Sequence, residues 1–123
     1  QDKGTEHEGL IQGAKEIGGY VFVKNKGSLQ ELEYFLNEEK LPIIIGWFDR
    51  NGDHYSVVVS MTDKNIIIVD PATDAPERWL DKDSFPKIWF DFVGADNRNI
   101  SWGWYMVITF EKKKFKVKDG YYY

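Results

Sequence analysis

Ile43-Ile44-Ile45-Gly46-Trp47-Phe48 is a continuous apolar run. A run of this length, bounded by turn signals, reads as a central strand buried on both faces. Leu41-Pro42 stops the helical pattern before it, because proline cannot continue a helix ladder. Asp49-Arg50-Asn51-Gly52-Asp53 behind it is a turn. A second strand is predicted from His54 to Ser60, with Tyr55, Val57 and Val59 on one face. Met61 to Lys64 reverses the chain, and Asn65 to Val69 forms a third strand that stops at Asp70-Pro71.

Working towards the N-terminus, Ser28 and Glu31 have the spacing of a capping box. Leu29, Leu32, Phe35 and Leu36 follow at helical spacing, so a helix is predicted to about Glu38. Tyr20 to Lys24 alternates as a short strand does. Before it, Thr5 and Glu8 form another capping-box pair. Leu10, Ile11, Ala14 and Ile17 share a helical face, and Gly18-Gly19 ends that helix. Working towards the C-terminus, residues 81–92 hold one short helix with Pro86 near its start, and residues 94–99 form a polar loop. Residues 105–110 and 115–118 are expected to close the chain as a hairpin across residues 111–114. The class that follows is α+β: two N-terminal helices, then a mostly antiparallel sheet of five or six strands.

At 123 residues the chain is one domain. The aromatic complement of 5 Trp, 7 Tyr and 8 Phe argues for a packed core rather than disorder. There is no cysteine, which excludes a disulfide scaffold, a cysteine-ligated zinc and a thiol nucleophile within these residues. No apolar run approaches the roughly 20 residues that a membrane span needs. A net charge of -4 argues against nucleic acid as a partner. The chain opens at Gln1 rather than Met, as a processed or excised segment would.

The chain has two histidines. His7 lies in a charged helix start and is expected to be solvated. His54 opens a strand beside a glycine turn, where an imidazole can face a ligand. A tight reversal at residues 61–63 would set Ser60 opposite Lys64, Val58 opposite Ile66, Ser56 opposite Ile68 and His54 opposite Asp70. Directly opposed side chains on one face lie about 5 Å apart at Cβ. A carboxylate there would fix the imidazole tautomer and leave the other nitrogen free as a base. The bland alternative is an ion pair at two strand ends. Ser56 and Ser60 share the face of His54 and read as packing residues, since nothing places them on a strained turn.

The order Gly4-Thr5, Ser28-Leu29-Gln30-Glu31-Leu32, Leu41-Pro42-Ile43-Ile44-Ile45, Gly52-Asp53-His54-Tyr55-Ser56-Val57-Val58 and Ile66-Ile67-Ile68-Val69-Asp70-Pro71 resembles one known pattern. It is similar to the back part of the papain-like peptidases that process double-glycine leaders of bacteriocins, and of their extracellular relatives. In that family the catalytic histidine begins a strand after Gly-His or Gly-Asp-His, and the orienting aspartate sits in an Asp-Pro at the end of the next strand. The resemblance implies that His54 is the catalytic base and acid and that Asp70 orients it. It implies a peptide or protein substrate, often cut after a pair of small residues, and no metal or organic cofactor. Phe85 and Trp89 resemble the family's trailing helix. The family's cysteine and oxyanion glutamine belong to a helical portion upstream of Gly4, and neither Gln1 nor Gln12 matches that glutamine. The nucleophile is therefore expected on a missing segment or companion chain; otherwise the protein is a peptide-binding relative without catalysis.

Other signals read blandly. Asp49, Asn51 and Asp53 alternate like calcium ligands, but Gly52 falls at the wrong step and no glutamate closes the loop, so a solvated turn is expected. Asn99-Ile100-Ser101 fits a glycosylation sequon. Five lysines within residues 112–118 read as a charged edge strand. Trp102, Trp104, Tyr105 and Tyr121-Tyr122-Tyr123 make an aromatic end, and an assembly subunit would use that end for its contacts.

Overall fold

The computed structural model describes residues 4–49, 52–70, 77–93 and 99–123. In chain order the elements are α1 (Gly4–Glu16), β1 (Tyr20–Lys24), α2 (Leu29–Asn37), β2 (Ile43–Asp49), β3 (Gly52–Met61), β4 (Asn65–Val69), β5 (Arg78–Asp81), α3 (Phe85–Ile88), β6 (Phe90–Val93), β7 (Asn99–Trp102), β8 (Tyr105–Thr109) and β9 (Tyr121–Tyr122). Seven strands form one sheet in the order β5-β4-β3-β2-β8-β1-β9, and β6 and β7 form a separate ribbon. The pairings of both sheets are antiparallel. The α+β class holds, with β5 and β9 widening the sheet beyond the expected five or six strands.

The apolar run 43–48 forms the middle of the sheet, with β3 on one side and β8 on the other. Ile43, Ile45 and Trp47 point to one face, where they pack with Leu32 and Phe35 of α2 and Phe85 of α3. Ile44 points to the other face, which α1 covers with Leu10, Ile11 and Ala14 against Val21, Val23 and Met106. Leu32 and Phe35 are fully buried, and each contributes roughly 2 kcal/mol through that burial. Nine residues of helix thus anchor this layer, which Phe85 and Phe115 complete.

The local stop and start signals act as the residues dictate. Ser28 caps α2, its Oγ accepting from the Glu31 N–H at 3.2 Å. The Glu31 side chain does not close the reciprocal half of the box. It accepts instead from Lys24 Nζ and from the Tyr105 hydroxyl, each at 2.8 Å. Burial, and then Glu31, push the Tyr105 phenol well above its ordinary value of 10.0. Gly18 ends α1 at φ 88°, a left-handed conformation that suits glycine. Thr5 lies inside α1 rather than at its cap. Ile17 is 67% exposed, so it falls off the packed face on which periodicity placed it. Pro86 sits in the first turn of α3, where its missing N–H costs nothing.

Three expectations are overturned. The register of β3 with β4 is Val57 opposite Val69 and Val58 opposite Ile68, then Ser60 opposite Ile67 and Met61 opposite Ile66, with a bulge between Val58 and Ser60. The reversal is wider than expected, with Met61 opposite Ile66 at its base, and the bulge then takes back one residue of that offset. Second, residues 105–110 and 115–118 are not a hairpin: β8 pairs with β1 and β2. Third, residues 112–118 are not a strand. Phe115 drives that segment across the α2 face, where its ring meets Phe22 and Phe35 at 5.6 and 5.0 Å, and the chain returns as β9 along β1. Burial of one aromatic ring outweighs the edge preference of the lysines around it. The expected loop at 94–99 lies outside the described residues except Asn99, which starts β7. The Asp49, Asn51, Asp53 alternation also lies largely outside them.

Candidate active site

His54 is the third residue of β3 and stands opposite Trp47 of β2. The two rings are 5.0 Å apart at their centroids and tilted by 33°. Trp47 is 3% exposed. Its Nε1–H donates to Ser56 Oγ at 2.9 Å within the core, and the Arg78 guanidinium lies 5.8 Å from its ring. The indole is thus a fixed floor under a half-buried imidazole. Ser56 is spent on holding that floor, in agreement with its reading as a packing residue. Ser60 does not share the face of His54, because the bulge turns it towards the side of Ile67.

Asp70 directly follows β4 and is half-buried. Continuing the register from Val57 opposite Val69 sets Asp70 across from Ser56, two residues along from His54. The pair is therefore diagonal rather than directly opposed. Diagonal neighbours on one face lie about 7–8 Å apart at the backbone, within reach of long side chains. Both residues stand at the same end and on the same face of the sheet, the α2 face, because β3 runs outward from its turn while β4 runs back to it.

The other histidine is not where its sequence suggested. The His7 side chain is 13% exposed, and its Nε2 donates to Asp91 Oδ2 at 2.7 Å. Its ring stacks on Trp104 at 4.1 Å and 11° and meets the edge of Tyr55 at 5.8 Å. The expectation of a solvated residue fails because α1 lays its first turns on the sheet instead of projecting them. Asp91 is 3% exposed, and its Oδ1 has no hydrogen-bond partner among the described residues. The carboxyl lies over Gly46, where an added Cβ would come within 3.0 Å of it. Periodicity could not reveal this pair, whose members are 84 residues apart. One signal was present: Asp91 interrupts the apolar sequence Trp89-Phe90-Asp91-Phe92-Val93, and a carboxylate placed there must find a partner.

Trp104 is 2% exposed, so it cannot serve as an assembly contact. Among the described residues, no group of three or more His, Cys, Asp or Glu side chains is placed to hold a metal ion, and no helix is long and apolar enough to cross a membrane.

No curated protein and no solved structure matches the chain. A family model described as the Peptidase C39 family matches residues 1–94, which include α1 to β6 and both His54 and Asp70. The chain belongs to the Peptidase C39 family, and its domain is peptidase-like.

Proposed function

We propose that this domain is the sheet-bearing part of a papain-like cysteine peptidase in which His54 is the general base and acid and Asp70 is its positioning residue. The observation that carries the reading is the half-buried His54 ring on the fixed Trp47 indole, at the sheet end to which Asp70 also returns. No cysteine occurs among these residues, so the thiol comes from a separate segment or companion chain. His54 takes the thiol proton and so makes a thiolate–imidazolium pair. The thiolate attacks the peptide carbonyl, and the imidazolium returns its proton to the leaving amine. His54 then takes a proton from a water molecule that attacks the acyl carbon; the C–S bond breaks, the acid leaves, and the imidazolium returns its proton to the thiolate. Asp70 holds the ring in its working orientation. The substrate is a peptide bond, following a small-residue pair as the family resemblance implies.

The test is cleavage of a fluorogenic peptide ending in Gly-Gly by the native gene product, with and without iodoacetamide. Alkylation should abolish cleavage. His54→Ala should lower kcat/KM by roughly 10²–10⁴-fold, and Asp70→Asn by less. Unchanged cleavage in His54→Ala would overturn the assignment. A second reading rests on the missing cysteine: a domain that binds peptide without cutting it. Peptide binding with no alkylatable thiol and no cleavage would select that reading.

A further inference from the structure

The family match ends at residue 94, and residues beyond it join Lys15 and Tyr20 to build a pocket. It measures about 700 Å³ and is lined by Lys15, Tyr20, Lys112, Lys113, Lys114, Tyr122 and Tyr123. It lies where α1 ends and β1 begins, beside β9. His54 is at the other end of the strands and three strands inward. We propose that this pocket is a second binding site, and that it takes a short acidic peptide carrying apolar side chains.

Charge is the first support. The chain as a whole is at -4, yet four lysines line one concavity. Among the described residues, Lys113 alone of the four is neutralised, by Glu39 Oε1 at 2.5 Å. Among the described residues Lys112 and Lys114 have no carboxylate partner, and Lys15 Nζ lies over the Tyr20 ring at 5.1 Å. Glu16 and Glu111 adjoin these lysines in the chain without forming an ion pair with them. Gathering like charges is unfavourable unless an anion shares the site. Local positive charge in an acidic chain also selects for a compact anionic segment. A long polyanion such as nucleic acid would meet repulsion from the remaining surface.

The walls supply the second support. Tyr20, Tyr122 and Tyr123 are 40%, 47% and 49% exposed, and they offer ring faces to apolar side chains and hydroxyls to carbonyls. The backbone supplies the third. Tyr123 and Val21 exchange both of their N–H···O bonds, at 2.8 and 3.2 Å. In an antiparallel pair that alternation turns the backbone of Tyr122 away from β1. Because β9 is the outermost strand, an extended peptide can lie along it and place alternate side chains among the tyrosines and lysines.

The test is fluorescence anisotropy of the full chain with a labelled Glu-Phe-Glu-Phe-Glu peptide and its Gln-Phe-Gln-Phe-Gln counterpart. The acidic peptide should bind at least tenfold more tightly than the neutral one and weaken as salt rises. The double variant Lys112→Glu, Lys114→Glu should lose at least tenfold in affinity. Both positions lie on an exposed segment, so the fold should tolerate the change. His54→Ala should bind as the wild type does, which separates failure of this site from failure of the catalytic reading. Equal affinity for the two peptides would overturn the proposal, as would no effect of the lysine changes. Displacement of the peptide by phosphatidylglycerol vesicles or an oligonucleotide at a concentration where free peptide does not compete would also overturn it.

Discussion

His7 and Asp91 form a near-buried pair that ties the first turns of α1 to the β6–β7 ribbon, Nε2 to Oδ2 at 2.7 Å. His7→Ala would leave the Asp91 carboxylate, whose other oxygen already lacks a partner, with no hydrogen bond among the described residues. Breaking one side of a buried pair costs about 3–5 kcal/mol; the partial exposure of His7 puts the expected loss near the lower end. Asp91→Leu, which removes the buried charge itself, should cost less than His7→Ala. Urea unfolding of the two variants checks the order, and the reverse order would show that the pair is not held by charge.

Gly46 lies under that pair. An added methyl would sit 3.0 Å from the Asp91 carboxyl. Gly46→Ala should therefore destabilise by about 1–3 kcal/mol, the usual cost of overpacking. In the background of Asp91→Ala the same change should become nearly neutral, because the obstructing group is gone. A double-mutant cycle measures that coupling.

Ser56 holds the floor beneath His54. Ser56→Ala leaves the Trp47 N–H buried without its acceptor and should cost about 1–3 kcal/mol. Ser56→Thr, which retains a hydroxyl, should recover part of this. If Trp47 positions His54, peptidase activity of the native gene product should fall with Ser56→Ala by more than the unfolded fraction explains.

Glu39 carries a pH signature. Hydrogen bonds from Lys113, then from Tyr34, hold its carboxyl below the ordinary value of 4.5. The folded state therefore binds its proton less readily than the unfolded chain. The stabilisation is complete above that ordinary value and is lost as pH falls through the folded one. The stability difference between wild type and Glu39→Gln should be constant at neutral pH and shrink below about pH 4.5. Chemical unfolding at several acidic pH values checks it, and a difference independent of pH would remove the assignment.

What could be read before folding was local. The apolar run at 43–48 announces a strand that has no solvent face, and Ser28 and Gly18 mark helix ends by chemistry confined to one turn. His54 and Asp70 were legible as candidates because each sits beside its own turn signal. Their geometry was not, because the reversal sets Met61 opposite Ile66 instead of Ser60 opposite Lys64 and the bulge near Val59 then takes back one residue of that offset, which leaves the pair diagonal. His7–Asp91 was invisible for a different reason: its contact closes only when α1 and the β6–β7 ribbon are both docked. The C-terminal segment misled because alternating lysines resemble an edge strand until Phe115 finds its place against Phe22 and Phe35.

The bulge between Val58 and Ser60 makes the arrangement at the strand ends a matter of chain counting. Had the pairing of Ser60 with Ile67 continued without the extra residue, position 70 would fall opposite Val57 and emerge beside Tyr55, on the far side of the sheet from His54. One residue more or fewer in β3 thus decides which layer of the molecule receives the Asp70 carboxylate. Deletions and insertions here, rather than side-chain replacements, are the changes that would separate His54 from Asp70, and a substitution scan alone would leave that vulnerability unseen.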